Sequence, residues 1–337
     1  MFTLIDAPTA DAAWSEAATS FETGKGIIQQ SSRDGETLEL LHAAISIRDP
    51  RQRWILGRQP SMNPAFAIAE VVWILAGRND SAFVNHWNPA LPRYAGEGEI
   101  YYGAYGYRLR RHLHIDQLER AFGTLSNDST SRQVVLQIWD SPSDLPDVDG
   151  KPRSRDIPCN ICSLLKARDG RLEWMQIMRS NDLFRGLPHN IVQFTSLQEV
   201  MSGWLGLELG GYHQISDSLH IYERDLGNVK GRTAVTTLHN RDSLMLNKAE
   251  SDRVWRDIEE RMEALLVQRL TGPAWHSIAD FDGPQPFQNL FAVVLADDAR
   301  RRAWPEVALQ AISKCTNPVL RQLWENWTVR NEKGSTK

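Results

Sequence analysis

The spacing of apolar residues predicts alternating helices and strands over most of the chain. Four stretches place their apolar residues at the spacing expected for one buried face of a helix. These predicted helices cover residues 9–24, 63–77, 114–126 and 189–203. The second ends at Gly77, a residue type that commonly follows a helix C-terminus.

Strands are predicted where β-branched and apolar residues cluster or alternate with polar ones. They cover residues 37–48, 134–139, 161–168, 172–178 and 213–222. Arg168-Asp169-Gly170 has the composition of a hairpin turn between the third and fourth of these strands. Residues 141–156 are rich in Asp, Pro, Ser and Arg, and we expect them to form a loop.

The pattern changes near residues 230–250. Beyond that point the chain has long amphipathic stretches laced with charges, and these predict a helical C-terminal part. The predicted helices cover residues 250–270, 287–303, 304–314 and 318–330. A chain of 337 residues is compatible with one large α/β domain that carries such an appendage.

Composition narrows the class of protein. The chain is 42% hydrophobic and 24% charged, with a net charge of −4, which is ordinary for a soluble protein. We therefore expect no nucleic acid partner, and a small anionic substrate would need local arginines. The N-terminus lacks a signal-peptide pattern, and no apolar stretch is long enough to span a membrane, so we expect no membrane association and a cytoplasmic location.

The three cysteines are Cys159, Cys162 and Cys315, and their odd number without a leader indicates free thiols in a reducing compartment. Cys159 and Cys162 form a C-x-x-C, which occurs in redox motifs and as half of a zinc site. Zinc would need two further ligands, and a redox pair is expected at a helix start rather than before a strand. A nucleophilic thiol activated by nearby cations is favoured, while the metal, redox and buried-pair interpretations stay open.

Downstream polar residues each have a structural and a functional interpretation. Arg179-Ser180 belongs either to a solvated loop or to a phosphate site, because a guanidinium matches phosphate oxygens. Asn190 either caps a helix or binds an amide edge. His220 and Tyr222 face the same side of a predicted strand, either as a core pair or as a ribose clamp.

Together, in this order and spacing, these segments resemble the thymidylate synthase superfamily. The matching residues are Pro158-Cys159, Arg179-Ser180-Asn181-Asp182, Gly186, Asn190 and His220-Ile221-Tyr222. Upstream matches are Arg33, Glu70 in residues 69–77, Tyr105 in residues 103–106, and Arg132. The resemblance covers about residues 30–230 and implies an α+β fold, a thymidylate-synthase-like mixed sheet flanked by helices. It assigns residues 1–245 to the catalytic domain and residues 246–337 to a helical C-terminal extension of that domain.

The resemblance also implies a reaction, the transfer of a one-carbon unit from 5,10-methylenetetrahydrofolate to C5 of a pyrimidine nucleoside 5′-monophosphate. Cys159 would add to C6 of the base, and Glu70 would order water and move protons. The implied catalytic residues are Cys159, Glu70, Tyr105 and Asp182. Asp182 and Gly186 are the implied folate-binding residues.

The implied nucleotide-binding residues are Arg33, Arg132, Arg179, Ser180, Asn190, His220 and Tyr222. Asn190 would bind the base, the hydroxyl of the sugar would contact His220 and Tyr222, and the remaining residues would bind the phosphate. Arg132 would come from a second subunit, which implies an obligate homodimer.

The chain departs from the usual synthase pattern at several positions. Asn160 stands where the synthases usually have His, Leu164 where they have Gln, and Gln133 where they have a second Arg. The usual Gly-Asp-x-His motif is lengthened here to Ser216-Asp-Ser-Leu-His220. Leu91 or Pro92 stands where an aromatic residue would stack on folate, and the chain ends in a polar rather than an apolar segment. Residues 178–182 and 218–220 look more like those of phage deoxycytidylate hydroxymethylases.

These departures favour a hydroxymethyl over a methyl product, because a poorly closed site admits water. Asn190 favours dUMP as the substrate, because the enzymes that act on cytosine tend to have Asp at this position. CMP and dCMP remain open as substrates. One alternative is a thymidylate synthase that makes dTMP and dihydrofolate. Another is an inactive nucleotide-binding homologue. The biological pathway is left open by the sequence.

Overall fold

A computed structural model of the chain describes residues 2–32 and 34–334. Its strands are β1 (Thr3–Ala7), β2 (Ile27–Ser32), β3 (Gly35–Ile47), β4 (Val135–Gln137), β5 (Asn160–Arg168), β6 (Arg171–Asp182) and β7 (Glu208–Tyr222). Its helices are α1 (Ala10–Thr23), α2 (Pro64–Leu75), α3 (Ser81–Trp87), α4 (Pro92–Ala95), α5 (Tyr105–Tyr107), α6 (Gln117–Asn127), α7 (Ser141–Asp144), α8 (Gly186–Leu205), α9 (Leu226–Lys230), α10 (Lys248–Leu265), α11 (Gly272–Ala279), α12 (Gln285–Arg301), α13 (Pro305–Ser313) and α14 (Pro318–Gly334).

Across the described residues, all seven strands form one mixed sheet. Its order is β1-β3-β7-β6-β5-β4, and β2 pairs with the first half of β3 while β1 pairs with the second half. The β1–β3 and β6–β7 pairs are parallel, and the other pairs are antiparallel. The expected α+β fold with a mixed sheet is therefore confirmed.

The strongest local patterns correspond to elements of the structure. Thr9 caps α1 by accepting from Ala12 N (3.2 Å), and Gly77 after α2 has a left-handed φ of 66°. Asp169 and Gly170 both have positive φ, as a tight hairpin between β5 and β6 requires. The predicted loop at 141–156 begins with the short helix α7, which is a correction. Strands β1 and β2 and helix α11 were not predicted.

Helix α8 lies between the sheet and α2, and it is buried over most of its length. The C-terminal helices α10 and α12 pack in turn on α2. This packing supports our proposal that residues 246–337 extend the same domain. No helix in the described part of the chain is both long and apolar enough to cross a bilayer.

A buried ion pair anchors α8. The Glu199 side chain is fully buried and binds Arg53, which is 3% exposed, while Arg51 Nε donates to Glu199 Oε1 over 2.9 Å. Burial alone would raise the pKa of the Glu199 carboxyl, but the two guanidinium groups outweigh burial and hold that pKa below its ordinary value. The pair joins α8 to the segment between β3 and α2.

We expect Glu199→Gln to lower the free energy of unfolding at neutral pH by about 3 kcal/mol, because the buried Arg53 charge loses its partner. A depressed carboxyl pKa stabilises the fold at high pH, and this contribution disappears as pH falls below the ordinary value of 4.5. The difference between wild type and variant, measured by urea unfolding, should therefore shrink in acid. Glu260→Gln, at an exposed position of α10, is the control. A difference that is equal at both pH values would contradict the charge-based account.

Candidate active site

A cavity of about 1620 Å³ lies between the sheet, α2 and α8. Single small-molecule pockets occupy roughly 300–1,000 Å³, so this cavity has room for two ligands. The predicted site residues that line it are Glu70, Tyr105, Cys159, Arg179, Ser180, Asp182, Gly186, Asn190, His220 and Tyr222. Arg132 lies instead on the exposed surface before β4, and Arg33 lies outside the described residues.

Cys159 ends the loop before β5, and Arg179 on β6 holds this loop in place. Arg179 Nε donates to the carbonyl of Pro158 over 2.9 Å, and Nη2 donates to that of Ile157 over 3.2 Å. The backbone N–H of Arg179 donates to the carbonyl of Cys159 over 2.9 Å. The side chain predicted to bind phosphate therefore uses two of its nitrogens to position the cysteine loop.

The same loop is held from its other side by Gly103 and Asp156. Asp156 Oδ2 accepts from Gly103 N (2.7 Å), and a Cβ at Gly103 would lie 3.1 Å from Asp156 and Pro158. Burial raises the pKa of the Asp156 carboxyl. Glycine at position 103 lets the two segments approach this closely without a tight contact from a side chain.

Tyr105 lines the cavity at the start of α5. Burial raises the pKa of its phenol well above the ordinary value, and the nearby charges of Cys159, Asp156 and Glu70 raise it further. The phenol therefore stays protonated and can donate a hydrogen bond into the cavity.

Glu70 is the sole polar residue in the sequence of α2, and it faces His189 of α8. Glu70 Oε2 lies 3.0 Å from His189 Nδ1, and the two side chains are 18% and 16% exposed. The orientation does not meet hydrogen-bond geometry, and neither atom has a hydrogen-bond partner among residues 2–32 and 34–334. The ring of His189 contacts that of Phe66, with 5.0 Å between centroids. His189 was not predicted; its position just before Asn190 was the available signal.

Asp182 organises the N-terminus of α8. Its Oδ1 accepts from the backbone N–H groups of Phe184 (2.7 Å) and Arg185 (2.8 Å). Burial raises the pKa of this carboxyl, against the lowering effects of His220 and the backbone donors. Its Oδ2 is buried and has no partner in the described part of the chain, so it can accept a hydrogen bond from a ligand.

Asn190 lies inside α8, whose N-cap is Arg185, so the helix-cap interpretation is wrong. Its Nδ2 donates to Asn181 Oδ1 over 3.1 Å, and Asn181 Nδ2 in turn donates to Ser216 Oγ over 3.4 Å. This chain of bonds holds the Asn190 side chain in place against Asn181. A Cβ at Gly186 would lie 3.0 Å from Asn181 Oδ1, so glycine leaves room for the amide pair.

His220 and Tyr222 alternate with the fully buried Leu219 and Ile221 on β7. Both rings are partly exposed and line the cavity in an edge-to-face arrangement, with centroids 5.8 Å apart. The core-pair interpretation is therefore wrong. Ser180 Oγ lies 3.4 Å from His220 Nδ1, which brings the neighbouring strands β6 and β7 together at this wall.

Several cavity residues had not been predicted. They are Glu39, Arg155, Gln193 and Ser218 from the main fold, and Arg300, Arg301 and Trp327 from the C-terminal helices. Leu91, one of the two residues that the resemblance puts near the folate-stacking position, also lines the cavity, and the aromatic Tyr94 lines it three residues further along the chain. Within the described residues, no group of three or more His, Cys, Asp or Glu side chains can hold a metal ion.

Comparisons with known proteins point to one family. A family model described as thymidylate synthase matches residues 24–262. The deoxyuridylate hydroxymethyltransferase of Pseudomonas phage M6 is 33% identical over 205 residues, which cover 60% of this chain and 57% of that protein. The protein of the same name from Bacillus phage SP01 is 34% identical over 200 residues, 56% of this chain and 51% of that one. The thymidylate synthase of Corynebacterium aurimucosum is 27% identical over 194 residues, 55% and 68% of the two chains. The chain spans little more than half the length of the two phage proteins.

We expect iodoacetamide at about pH 8 to alkylate Cys159 at least about 10-fold faster than the other cysteines, because Cys159 lines the cavity. Burial raises the pKa of the Cys162 thiol and raises that of Cys315 to about 11, which lowers the thiolate fraction of both. Peptide mass spectrometry over time measures the three rates, and Cys159→Ser is the control. Equal labelling of Cys162 would contradict the assignment of the reactive thiol.

Proposed function

Because the chain belongs to the thymidylate synthase family, we propose that it transfers a one-carbon unit to C5 of a pyrimidine nucleoside 5′-monophosphate. The observation that carries the proposal is the clustering of the motif residues around one cavity, with Cys159 held in its wall by Arg179. The preferred substrate is dUMP and the preferred product is its 5-hydroxymethyl derivative.

Cys159 starts the proposed reaction as a nucleophile. Its thiolate sulfur bonds to C6, and the C5–C6 π electrons move toward C5 and the C4 carbonyl, which makes C5 nucleophilic. C5 would bond to the one-carbon unit of the folate and lose its proton. The bond between that carbon and the folate nitrogen would break with release of tetrahydrofolate, so that the base would carry an exocyclic methylene. Hydroxide from water adds to this methylene, the C5–C6 double bond re-forms, and the Cys159 thiolate leaves.

Glu70 is the proposed group that orders water and moves protons between water and substrate. Its position supports this role, since Glu70 Oε2 is buried on the cavity wall beside His189 and has no hydrogen-bond partner in the described chain. The nearby Gln193 Oε1 is likewise buried and has no partner there. These polar atoms can hold the water that formation of a hydroxymethyl product requires.

Asn190 is the proposed base-binding residue. An amide that donates and accepts matches uracil in one orientation and cytosine in the other. Turning the Asn190 amide alone would break its bond to Asn181 Oδ1, whereas turning both amides together would keep the two residues paired. We assign uracil, the base in the names of the two phage relatives.

The sugar and phosphate are assigned to the wall formed by β6 and β7. His220 and Tyr222 would bind the sugar hydroxyl, and Ser180 and Arg179 would bind the phosphate together with Arg33. Arg179 retains Nη1 for this purpose, because its other nitrogens hold the cysteine loop. Exposed Arg132 would reach the phosphate of a partner subunit in a homodimer. We place this homodimer in the cytoplasm.

When bound, 5,10-methylenetetrahydrofolate would supply the one-carbon unit at the oxidation level of formaldehyde. The wall fits such a group, because Asp182 Oδ2 is a buried acceptor with no partner in the described chain and can bind the N–H groups of a pterin ring. Gly186 lines the same cavity and has no side chain, which leaves the ring close access. The cavity volume accommodates folate and nucleotide together.

The test is incubation of the protein with 5,10-methylenetetrahydrofolate and each of UMP, dUMP, CMP and dCMP, followed by mass spectrometry. We expect dUMP to gain CH₂O and the folate product to be tetrahydrofolate. Cys159→Ser should make no product, whereas Cys162→Ser should retain activity. A gain of CH₂ with dihydrofolate would establish a thymidylate synthase instead. Nucleotide binding without any product would establish an inactive homologue.

A further inference from the structure

Two buried polar atoms of the cavity wall face each other without forming a hydrogen bond. Oε2 of Glu70 on α2 lies 3.0 Å from Nδ1 of His189 on α8, and neither atom has a hydrogen-bond partner among the described residues. A buried polar atom without a partner costs free energy, so such an atom in a folded protein calls for a functional explanation. The pair is therefore a candidate for a role in the reaction.

The surroundings of His189 decide which atom of its ring is left to act. The ring packs at 57° against the buried ring of Phe66, with 5.0 Å between the centroids. Nδ1 is buried beside Glu70, whereas the side chain as a whole is 16% exposed and lines the cavity. The ring nitrogen that remains for a ligand or a water molecule is Nε2.

Gln193 adds a third polar atom one turn further along α8. Residues four apart on a helix lie on the same face, so Gln193 lies beside His189 on this wall. Both side chains line the cavity, and Oε1 of Gln193 is buried with no hydrogen-bond partner in the described part of the chain. The packed helices α2 and α8 thus bring a carboxylate, an imidazole and an amide oxygen to one wall.

Formation of a 5-hydroxymethyl group needs a side chain that takes a proton from water. When water adds to the exocyclic methylene, a lone pair of its oxygen forms the new C–O bond. The π electrons of the methylene move to C5 and the C4 carbonyl. They then re-form the C5–C6 double bond, and the Cys159 thiolate leaves with the electrons of the S–C6 bond. One proton of the water must be removed, since the product oxygen keeps a single hydrogen.

We propose that His189 is the catalytic base of this water step and that Glu70 is its partner. This inference rests on the proposed function. Nε2 of His189 accepts one proton of the attacking water and later releases it to solvent, while Oε1 of Gln193 accepts a hydrogen bond from the other hydrogen. Histidine accepts and releases protons readily near neutral pH, and a carboxylate beside the ring stabilises the imidazolium that forms.

The pairing with Glu70 needs only a turn of the ring. At 3.0 Å the two atoms are already within hydrogen-bond distance, and a rotation aligns Nδ1–H with Oε2. Catalytic hydrogen bonds often align only when the ligands are bound. Glu70 keeps its proposed role in the proton transfers that precede the addition of water.

The test separates the water step from the steps before it. Protein in excess over [5-³H]dUMP is mixed with 5,10-methylenetetrahydrofolate and sampled during one turnover. Tritium release reports the loss of the C5 proton. Mass spectrometry of the nucleotides reports the 5-hydroxymethyl product, and mass spectrometry of the intact protein reports any covalent adduct.

Two variants remove the base in different ways. His189→Gln keeps hydrogen-bonding atoms at this position but takes no proton from water, and His189→Phe keeps a ring that packs on Phe66. The matched control is His112→Gln. His112 Nε2 lies 3.0 Å from Asp140 Oδ2, so this histidine also has a carboxylate partner, but it does not line the cavity.

We expect both variants of His189 to form the 5-hydroxymethyl product about 100-fold more slowly than the wild type, because the base is lost. Tritium release should stay within about three-fold of wild type, since C5 loses its proton before the base is needed. An adduct should accumulate with the mass of the protein plus the product less one water, because the methylene intermediate stays bonded to Cys159. His112→Gln should match the wild type in all three measurements.

Other results would overturn the inference. Product formation by His189→Gln at the wild-type rate would show that the water step needs no base at this position. Tritium release that slows as much as product formation would show that the variants disturb the cavity before water adds. Either result leaves the proposed function intact. A methylated product with dihydrofolate from the wild-type protein would instead overturn the proposed hydroxymethyl transfer together with this inference.

Discussion

The rest of the site depends on the hydrogen bonds between Arg179 and the loop that ends at Cys159. Two side-chain nitrogens and one backbone N–H of this residue bind the carbonyls of residues 157, 158 and 159. Because Arg179 belongs to β6, the thiol is fixed relative to β6 and its neighbour β7. Ser180, Asp182 and His220 share these strands, so the contacts of Arg179 with the loop place the proposed nucleophile against the whole wall.

The opposite wall depends on how α8 is held. Glu199 binds Arg53 in the core near the end of the helix, while Asp182 accepts the backbone donors at its start. Asn190 therefore has a fixed backbone, and its side chain is paired with that of Asn181. Both anchors are charge-assisted or fully buried, and loss of such a contact lowers the free energy of unfolding strongly. The proposed base-binding residue and the buried ion pair of Glu199 therefore lie in the same helix.

Much of the fold could be predicted because its local patterns were strong. The apolar run of α2 and the turn at Asp169-Gly170 act over short distances, whereas β2 is a polar edge strand that depends on its pairing with β3. Motif spacing likewise led to the residues on β6 and β7. It could not show that Arg179 binds loop carbonyls, nor that Arg301 reaches Trp87, since such contacts join distant segments.

The central claim is that Cys159 activates C5 of a pyrimidine nucleotide by bonding to C6. Release of tritium from [5-³H]dUMP tests this step before the final product is decided. We predict release by the wild-type protein when 5,10-methylenetetrahydrofolate is present, and background release by Cys159→Ser that still binds dUMP. Release by Cys159→Ser at the wild-type rate would contradict the claim, as would nucleotide binding by the wild type without any release.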